Sequence, residues 1–273
     1  MSKLSSRLPL VVAAVILIFI GIGAARRCSE DGRSSLAEKL VRPGDDTLAV
    51  AIEMSPLTYT FANDTADGFD YQIIKAITSE HGVAAEFFPV ANLEEAYTGL
   101  KEGKYDIVVA NMPATAKLRE YFPLTEAVYL DRQVLVQRRN DSTGVGEVGS
   151  ALDLRDDTVF IPTGSPVRSR IENMSREMGD TVFIETLPGH NAEHLAIMTA
   201  TGGIPRAVVA EAVARRVAAD YPQLDYSTAV SFNQFQVWAT APGDTTLRDS
   251  LNSWLSTFSN SDAYRVLAKR YLE

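Results

Sequence analysis

Short apolar runs and amphipathic segments alternate along the chain, and their order predicts its secondary structure. Leu48 to Ile52 is a continuous apolar run, which is typical of a parallel strand buried on both faces. After Gly68, apolar side chains recur at helical spacing, and Ala84 to Val90 follows as a second strand. Asn92 is the predicted N-cap of another helix. Glu95 follows three residues later, and the two residues together form a capping-box pattern.

A third apolar run, Ile107 to Ala110, completes a β-α-β-α-β order, which predicts a doubly wound α/β sheet. The second half of the chain repeats the pattern. Its strands are predicted at residues 158–162, 181–187 and 207–210, and its helices at 166–178, at 191–201 and after 211. The repeated order indicates two lobes of similar construction.

Two extended segments connect the predicted lobes. Gln133 to Gln137 and Gln234 to Thr240 are interpreted as strands that cross from one lobe to the other. Thr246 to Leu272 has the pattern of two helices. The predicted organisation is a membrane segment at residues 1–25, a tether at 26–46, a first lobe at 47–138 with 231–273, and a second lobe at 139–230.

The N-terminal segment from Leu8 to Ala25 carries no charge and follows the basic residues Lys3 and Arg7. Its length just reaches the lower limit of a bilayer span, about 17–25 residues, and exceeds a usual signal-peptide core. We expect an uncleaved anchor in the inner membrane, with the body in the periplasm or extracytoplasmic space. Lipidation of Cys28 is the alternative, although the preceding arginine departs from the lipobox pattern.

Composition excludes several classes of function. The net charge is −9 and no basic stripe stands out, which argues against a nucleic-acid partner. The single cysteine allows neither an internal disulfide nor a cysteine-based metal site. His190 and His194 are four residues apart but lack the HExxH pattern and a third ligand. No nucleophile elbow, P-loop or dinucleotide motif is present, so we expect neither enzymatic activity nor a cofactor.

Residues 68–138 carry the most informative motifs: GFDYQIIKAI, LKEGKYDIVVANMPATAKLREYF and VYLDRQVLVQRR. This succession resembles the family 3 periplasmic solute-binding proteins, the amino-acid-type receptors of ABC transporters. Their matching stretches run roughly GFDVDLAKAI, LQSGKVDAIIAGMTITPER and GQVLVV. The resemblance covers about residues 47–272. It implies an α/β, two-lobed, type II periplasmic-binding-protein fold, with the C-terminal helices packed on the first lobe.

The ligand site is predicted from the topology of the sheets. Ligands of open α/β sheets bind outside the carboxyl ends of the strands. That rule points to the loops after Ile52, Ala110, Ile161 and Ala210, which converge on one cleft if the lobes face each other. The third loop places Ser165 at a helix N-terminus, where free N–H groups attract anions.

The resemblance assigns roles to several residues of these loops. Tyr59 falls where the family has an aromatic over the ligand, with a core aromatic as the alternative. Thr115 matches a hydroxyl that contacts the ligand carboxylate, and Glu211 matches the acid that holds an ammonium. The family arginine falls on Leu118 here, so Arg119 either reaches the cleft from a rebuilt loop or is a surface residue paired with an acid. The predicted ligand-binding set is Tyr59, Asn111, Thr115, Arg119, Ser165 and Glu211.

The leading functional interpretation is a membrane-tethered binding protein. It would close on a small polar or zwitterionic ligand (an amino acid, peptide or cell-wall fragment) for transport or sensing, with an ABC permease or cell-wall machinery as partner. The alternative follows from the anchor and the NMPAT loop, which resemble the receptor-like module of F-type membrane-bound lytic transglycosylases. Since the sequence stops straight after the receptor tail, this alternative is a stand-alone regulatory homologue without lytic activity. A third interpretation is a receptor-fold dehydratase similar to cyclohexadienyl dehydratase.

Overall fold

The computed structural model describes residues 47–139 and 147–273. The predicted membrane segment and tether lie outside the described residues. Across the two described ranges, no helix is both long and apolar enough to cross a membrane. The strands are β1 Thr47–Glu53, β2 Thr60–Ala62, β3 Thr65–Asp67, β4 Ala84–Val90, β5 Ile107–Val109, β6 Tyr129–Asp131, β7 Gln133–Arg138, β8 Thr158–Phe160, β9 Phe183–Glu185, β10 Arg206–Ala210, β11 Leu224–Ala229, β12 Gln234–Gln236 and β13 Ala239–Thr240. The helices are α1 Phe69–Glu80, α2 Leu93–Lys101, α3 Ala116–Tyr121, α4 Val167–Met178, α5 Ala192–Thr201, α6 Glu211–Asp220, α7 Thr245–Ser259 and α8 Asp262–Tyr271.

The first lobe is built on a four-stranded sheet with the order β13-β5-β1-β4. Strand β1 pairs in parallel with β4 and β5, and β13 closes the other edge in the antiparallel sense. Helix α1 starts directly after Gly68, whose φ of +139° and tight surroundings exclude a side chain, since a Cβ would lie 2.4 Å from the Thr58 carbonyl oxygen. These elements match the β-α-β-α-β order that the apolar pattern predicts.

The second lobe is built on a five-stranded sheet with the order β11-β7-β10-β8-β9. Strand β7 lies between β11 and β10 and is antiparallel to both. The predicted crossing strand Gln133–Gln137, within a first lobe that runs to residue 138, is therefore corrected: its hydrogen bonds place it in the second sheet. The physical reason lies in the run QVLVQ, whose residues are buried throughout, as a central strand requires.

The chain crosses between the lobes at two neighbouring places. One crossing runs from β6 through Arg132 into β7, and the other runs from β11 through residues 230–233 into β12. Strands β6 and β12 pair antiparallel, so the two crossings are held side by side. The two crossings, at Arg132 and at residues 230–233, therefore form a two-stranded hinge between the lobes, and each continues directly into a strand.

The C-terminal helices pack on the first lobe. Tyr264 of α8 lies 5.9 Å, ring centroid to centroid, from Phe69, and its hydroxyl donates to the Val128 carbonyl at 2.6 Å. The Tyr271 hydroxyl donates to Asp67. The first lobe is therefore discontinuous in sequence, because β13, α7 and α8 return to it after the second lobe is complete. This arrangement confirms the two-lobed type II fold.

A buried carboxyl ties α1 to the returning segment. The indole nitrogen of Trp238 donates to Asp70 at 2.9 Å, and both side chains are fully buried. The second Asp70 oxygen has no hydrogen-bond partner among the described residues. Burial raises the pKa of Asp70 to about 7, with Glu53 adding to the rise and the Trp238 hydrogen bond opposing it. Asp70 therefore has a structural role in joining α1 to the returning segment.

Candidate functional site

The strand-end loops of the two lobes meet around one small cavity of about 20 Å³. Its lining includes Glu53 and Asn111 from the first lobe, and Gln133, Ser165 and Ala210 around the second. This volume holds about one water molecule. A larger ligand therefore requires the lobes to move apart and close again around it. The cavity lies where the strand-end rule places the site.

Glu53 gives the cavity a buried acidic group. Its side chain ends β1 and is only 7% exposed, and one carboxylate oxygen accepts the backbone N–H of Asn111 at 3.1 Å. Burial raises the Glu53 pKa to about 7, and the hydrogen bond from Asn111 opposes that rise. A hydrogen-bond donor on a ligand would favour the ionised form and lower this pKa. Glu53 was absent from the predicted set, although it is the first residue of the loop after Ile52 that the rule named.

Asn111 holds the floor of the cavity together. Its side-chain amide donates to the Tyr129 hydroxyl at 2.9 Å and to the Asp131 carboxylate at 3.1 Å. Burial raises the pKa of Asp131 to about 6, and hydrogen bonds from Arg132 and Asn111 oppose the rise. The predicted ligand residue Asn111 therefore lines the cavity while its side chain orients the first crossing.

Glu211 is paired within the protein. The Arg132 guanidinium donates to both Glu211 oxygens, at 2.9 and 2.7 Å, in a bidentate pair. The pair joins the first crossing to the start of α6. Glu211 does not line the central cavity in this arrangement, and its charge is already matched, so an ammonium bound there would compete with Arg132.

The remaining predicted residues are distributed over three places. Thr115 caps α3 by accepting the Leu118 N–H at 3.2 Å, and it shares a second, outer pocket with Ser165. Arg119 lines a separate surface groove of the first lobe. Tyr59 is buried in the core against Tyr71, with ring centroids 5.5 Å apart. The structure thus brings Asn111, Thr115 and Ser165 to the interlobe region and leaves Tyr59 and Arg119 outside both pockets.

The contacts between the lobes include two close approaches near the central cavity, together with a hydrogen bond from Arg215 of α6 to the Leu272 carbonyl. The Asn191 side chain, at the start of α5, donates to the Met54 carbonyl at 2.6 Å. Gly164 lies directly against the first turn of α2, where an added Cβ would approach Glu94 to 2.8 Å. Its φ of +78° also favours glycine. Closure of the two lobes therefore depends on the absence of a side chain at residue 164.

His190 and His194 lie at the N-terminal end of α5. Their ring centroids are 5.8 Å apart, and the His190 Nδ1 lies 3.1 Å from the Pro188 carbonyl. Within residues 47–139 and 147–273, no group of three or more His, Cys, Asp or Glu side chains could hold a metal ion.

Comparisons with known proteins agree with this architecture. The chain is 26% identical over 238 residues to the membrane-bound lytic murein transglycosylase F of Aeromonas hydrophila, which covers 86% of this chain and 46% of that protein. The chain spans about half the length of the curated relatives it matches. An ancestral arginine-binding protein bound to arginine superposes with a TM-score of 0.72 at 20% identity, covering 85% of this chain and all of the other.

A further solved structure is described as an ancestral amino acid-binding protein, a precursor of cyclohexadienyl dehydratase. It has a TM-score of 0.68 at 21% identity and covers 84% of this chain and 96% of its own. At these identities the structures show the shared fold alone. The family model of the bacterial extracellular solute-binding proteins, family 3, matches residues 47–273. With the lobes, the crossings and the strand-end cavity in place, the chain belongs to the family 3 extracellular solute-binding proteins.

Proposed function

We propose that the chain is a receptor module that closes its two lobes on a small polar or zwitterionic ligand. The observation that carries this proposal is the cavity bounded by both lobes, with the buried Glu53 carboxyl on its wall. A ligand that contacts both lobes stabilises the closed state, since its contacts are complete only there.

The polar lining indicates the chemistry of the ligand. Glu53 accepts a hydrogen bond, Ser165 lies just before α4, and Gln133 also lines the cavity. A ligand with an ammonium or amide donor would bind the ionised form of Glu53. Because the Glu53 pKa is raised to about 7, affinity for such a ligand should rise as pH rises through 7. An amino acid or short peptide has the required donor.

The matches to lytic transglycosylase F support a second form of the same function. In that form the chain is a regulatory homologue of the receptor module, and its ligand is a peptide or a cell-wall fragment that it senses. The transport form would instead pair the chain with an ABC permease. A dehydratase is the third form, supported only by the likeness to a precursor of such an enzyme.

The proposed cellular location of the protein follows from its family and from its N-terminal segment. The family is extracellular, so the body is expected outside the cytoplasm. We propose that Leu8 to Ala25 anchors it in the inner membrane. Fractionation of full-length protein tests the anchor, since release in soluble form starting near Arg26 would contradict it.

A ligand screen tests the function. Thermal-shift measurements against amino acids, short peptides and muropeptides would identify a binder, and calorimetry would then compare Glu53→Gln with Glu86→Gln. Glu86 is an exposed glutamate of β4 and serves as the matched control. Glu53→Gln should cost about 2 kcal/mol or more of binding free energy, because a buried charged partner is lost. Equal affinities in both variants would contradict a ligand at Glu53.

A further inference from the structure

A second pocket of about 360 Å³ opens beside the central cavity, and Ser165 lines both. Helices α2 and α3 of the first lobe form one side of it, and the start of α4 forms the other. Its volume falls in the usual range of small-molecule sites, about 300–1,000 Å³. The pocket therefore adjoins the cleft but is large enough to hold a chemical group of its own.

Cationic side chains from three helices line this outer pocket: Lys101 of α2, Lys117 of α3 and Arg168 of α4. Across the described ranges, none of these three side chains forms an ion pair with a carboxylate, since no carboxylate oxygen lies within 4.0 Å of their charged nitrogens. Glu94 is the single acid of the lining. The excess of unpaired positive charge makes the pocket attractive to an anion.

Aromatic rings form the apolar part of the pocket. The Tyr97 and Phe122 rings pack at a tilt of 31° with centroids 5.5 Å apart, and the Tyr121 ring beside them is half exposed. The Lys101 ammonium lies 4.7 Å from the centre of the Tyr121 ring. A flat group can pack on these rings while its charge meets the ammonium and guanidinium groups at the rim.

The helix ends add to the positive field. Gly164, just before α4, touches the first turn of α2 at Glu94, so the N-termini of two helices meet at the edge of the pocket. Each N-terminus carries a partial positive charge from the helix dipole. This field acts on a ligand together with the three side-chain cations. Because the two helices belong to different lobes, their N-termini lie close together only when the lobes are closed.

We propose that the outer pocket binds a carboxylate or phosphate carried on a flat, apolar group, as an extension of the ligand in the cleft. The inference deepens the proposed function and rests on it for the role of closure. Contacts from α2 and α3 on one lobe and α4 on the other mean that an anion bound here would favour the closed arrangement. Apart from Ser165, the residues that line the outer pocket do not line the central cavity.

Calorimetry on the full chain tests the site with two simple anions, phenyl phosphate and benzoate, and their neutral analogue benzyl alcohol. We expect at least one anion to bind and the neutral analogue to bind far more weakly. The phosphate and carboxylate arms show which anion the pocket takes. Inorganic phosphate is the fourth probe, and binding as tight as that of phenyl phosphate would overturn the flat, apolar part of the proposal.

Three variants locate the binding. Lys101→Gln and Arg168→Gln, one on each lobe, should each weaken binding of the anion about tenfold, as the loss of a hydrogen bond to a charged group does. Lys75→Gln is the matched control, because Lys75 is also an exposed helical lysine over a tyrosine ring, at 5.6 Å, but lies outside the pocket. It should leave affinity unchanged.

Failure of both anions to bind at millimolar concentration, or equal binding by the parent and both pocket variants, would overturn the inference. The probes are independent of the ligand of the cleft. A negative result with them therefore leaves the proposed function standing, and that function is decided separately by the Glu53 variant.

Discussion

Lobe closure should depend on the absence of a side chain at Gly164. An alanine Cβ there would lie 2.8 Å from both the backbone nitrogen and the Cγ of Glu94, well inside ordinary van der Waals contact. The nitrogen belongs to the first turn of α2 and cannot turn aside as a side chain can. The lobes must therefore separate slightly, or the loop must move.

The size of the effect follows from two contributions. Overpacking a close contact costs about 1–3 kcal/mol. That cost falls only on the closed state, so the ratio of closed to open molecules should fall by about fivefold to 150-fold. The strain of alanine at positive φ is a second cost of about 1–2 kcal/mol, but it is present in both states.

Gly189→Ala separates the two contributions. Gly189 is in the same lobe and has a φ of +76°, close to the +78° of Gly164, yet an added Cβ meets nothing within 4 Å among the described residues. Both variants should lose similar thermal stability from backbone strain. Only Gly164→Ala should shift the lobes apart.

Pulsed electron paramagnetic resonance measures this shift directly. Spin labels at Glu86 on β4 and Glu185 on β9, both exposed, report one distance across the two lobes once Cys28 is replaced by serine. Gly164→Ala should lengthen or broaden the distance distribution, and Gly189→Ala should reproduce the parent. Identical distributions in all three proteins would refute the argument that this contact limits closure.

Three further expectations can be measured. The raised pKa of Asp70 means that the folded state binds a proton more tightly, so stability should fall as pH rises from 3.8 to about 7; Asp70→Asn should flatten that slope in denaturant titrations. A double-mutant cycle on Arg132 and Glu211 should give a coupling of about 1 kcal/mol, because the bidentate pair is only partly buried, and a coupling near zero would show that it adds no stability. Thr115→Ala should cost about 1 kcal/mol of stability through loss of the α3 cap, with unchanged urea midpoints as the contrary result.

The apolar pattern was sufficient to predict most elements but not which strands pair. The run Gln133–Arg138 correctly indicated a buried strand, while its place in the second sheet depends on partners in β10 and β11 far along the chain. Local pattern carries no information about such partners. A segment buried on both faces nevertheless favours a central strand over an exposed crossing, and that signal was available in the sequence.

The topology rule predicts the loops that line the central cavity. It names the loops that contribute Asn111 and Ser165, and the loop after Ile52, which begins with Glu53. The resemblance pointed to Glu211, whose pairing with Arg132 spans 79 positions of sequence and cannot be inferred from either residue alone. Tyr59 is a similar case, because the sequence around it does not distinguish an aromatic residue of the core from one that contacts a ligand.

A crystal structure of the chain with the tightest ligand from the screen would show directly whether both lobes hold the ligand. We expect the ligand between the lobes, with a donor group within hydrogen-bond distance of the Glu53 carboxylate and a further contact to Ser165 just before α4. We also expect the lobes to be closed to the Gly164 contact. A ligand bound to one lobe alone, with Glu53 still occupied only by the Asn111 N–H, would contradict this expectation.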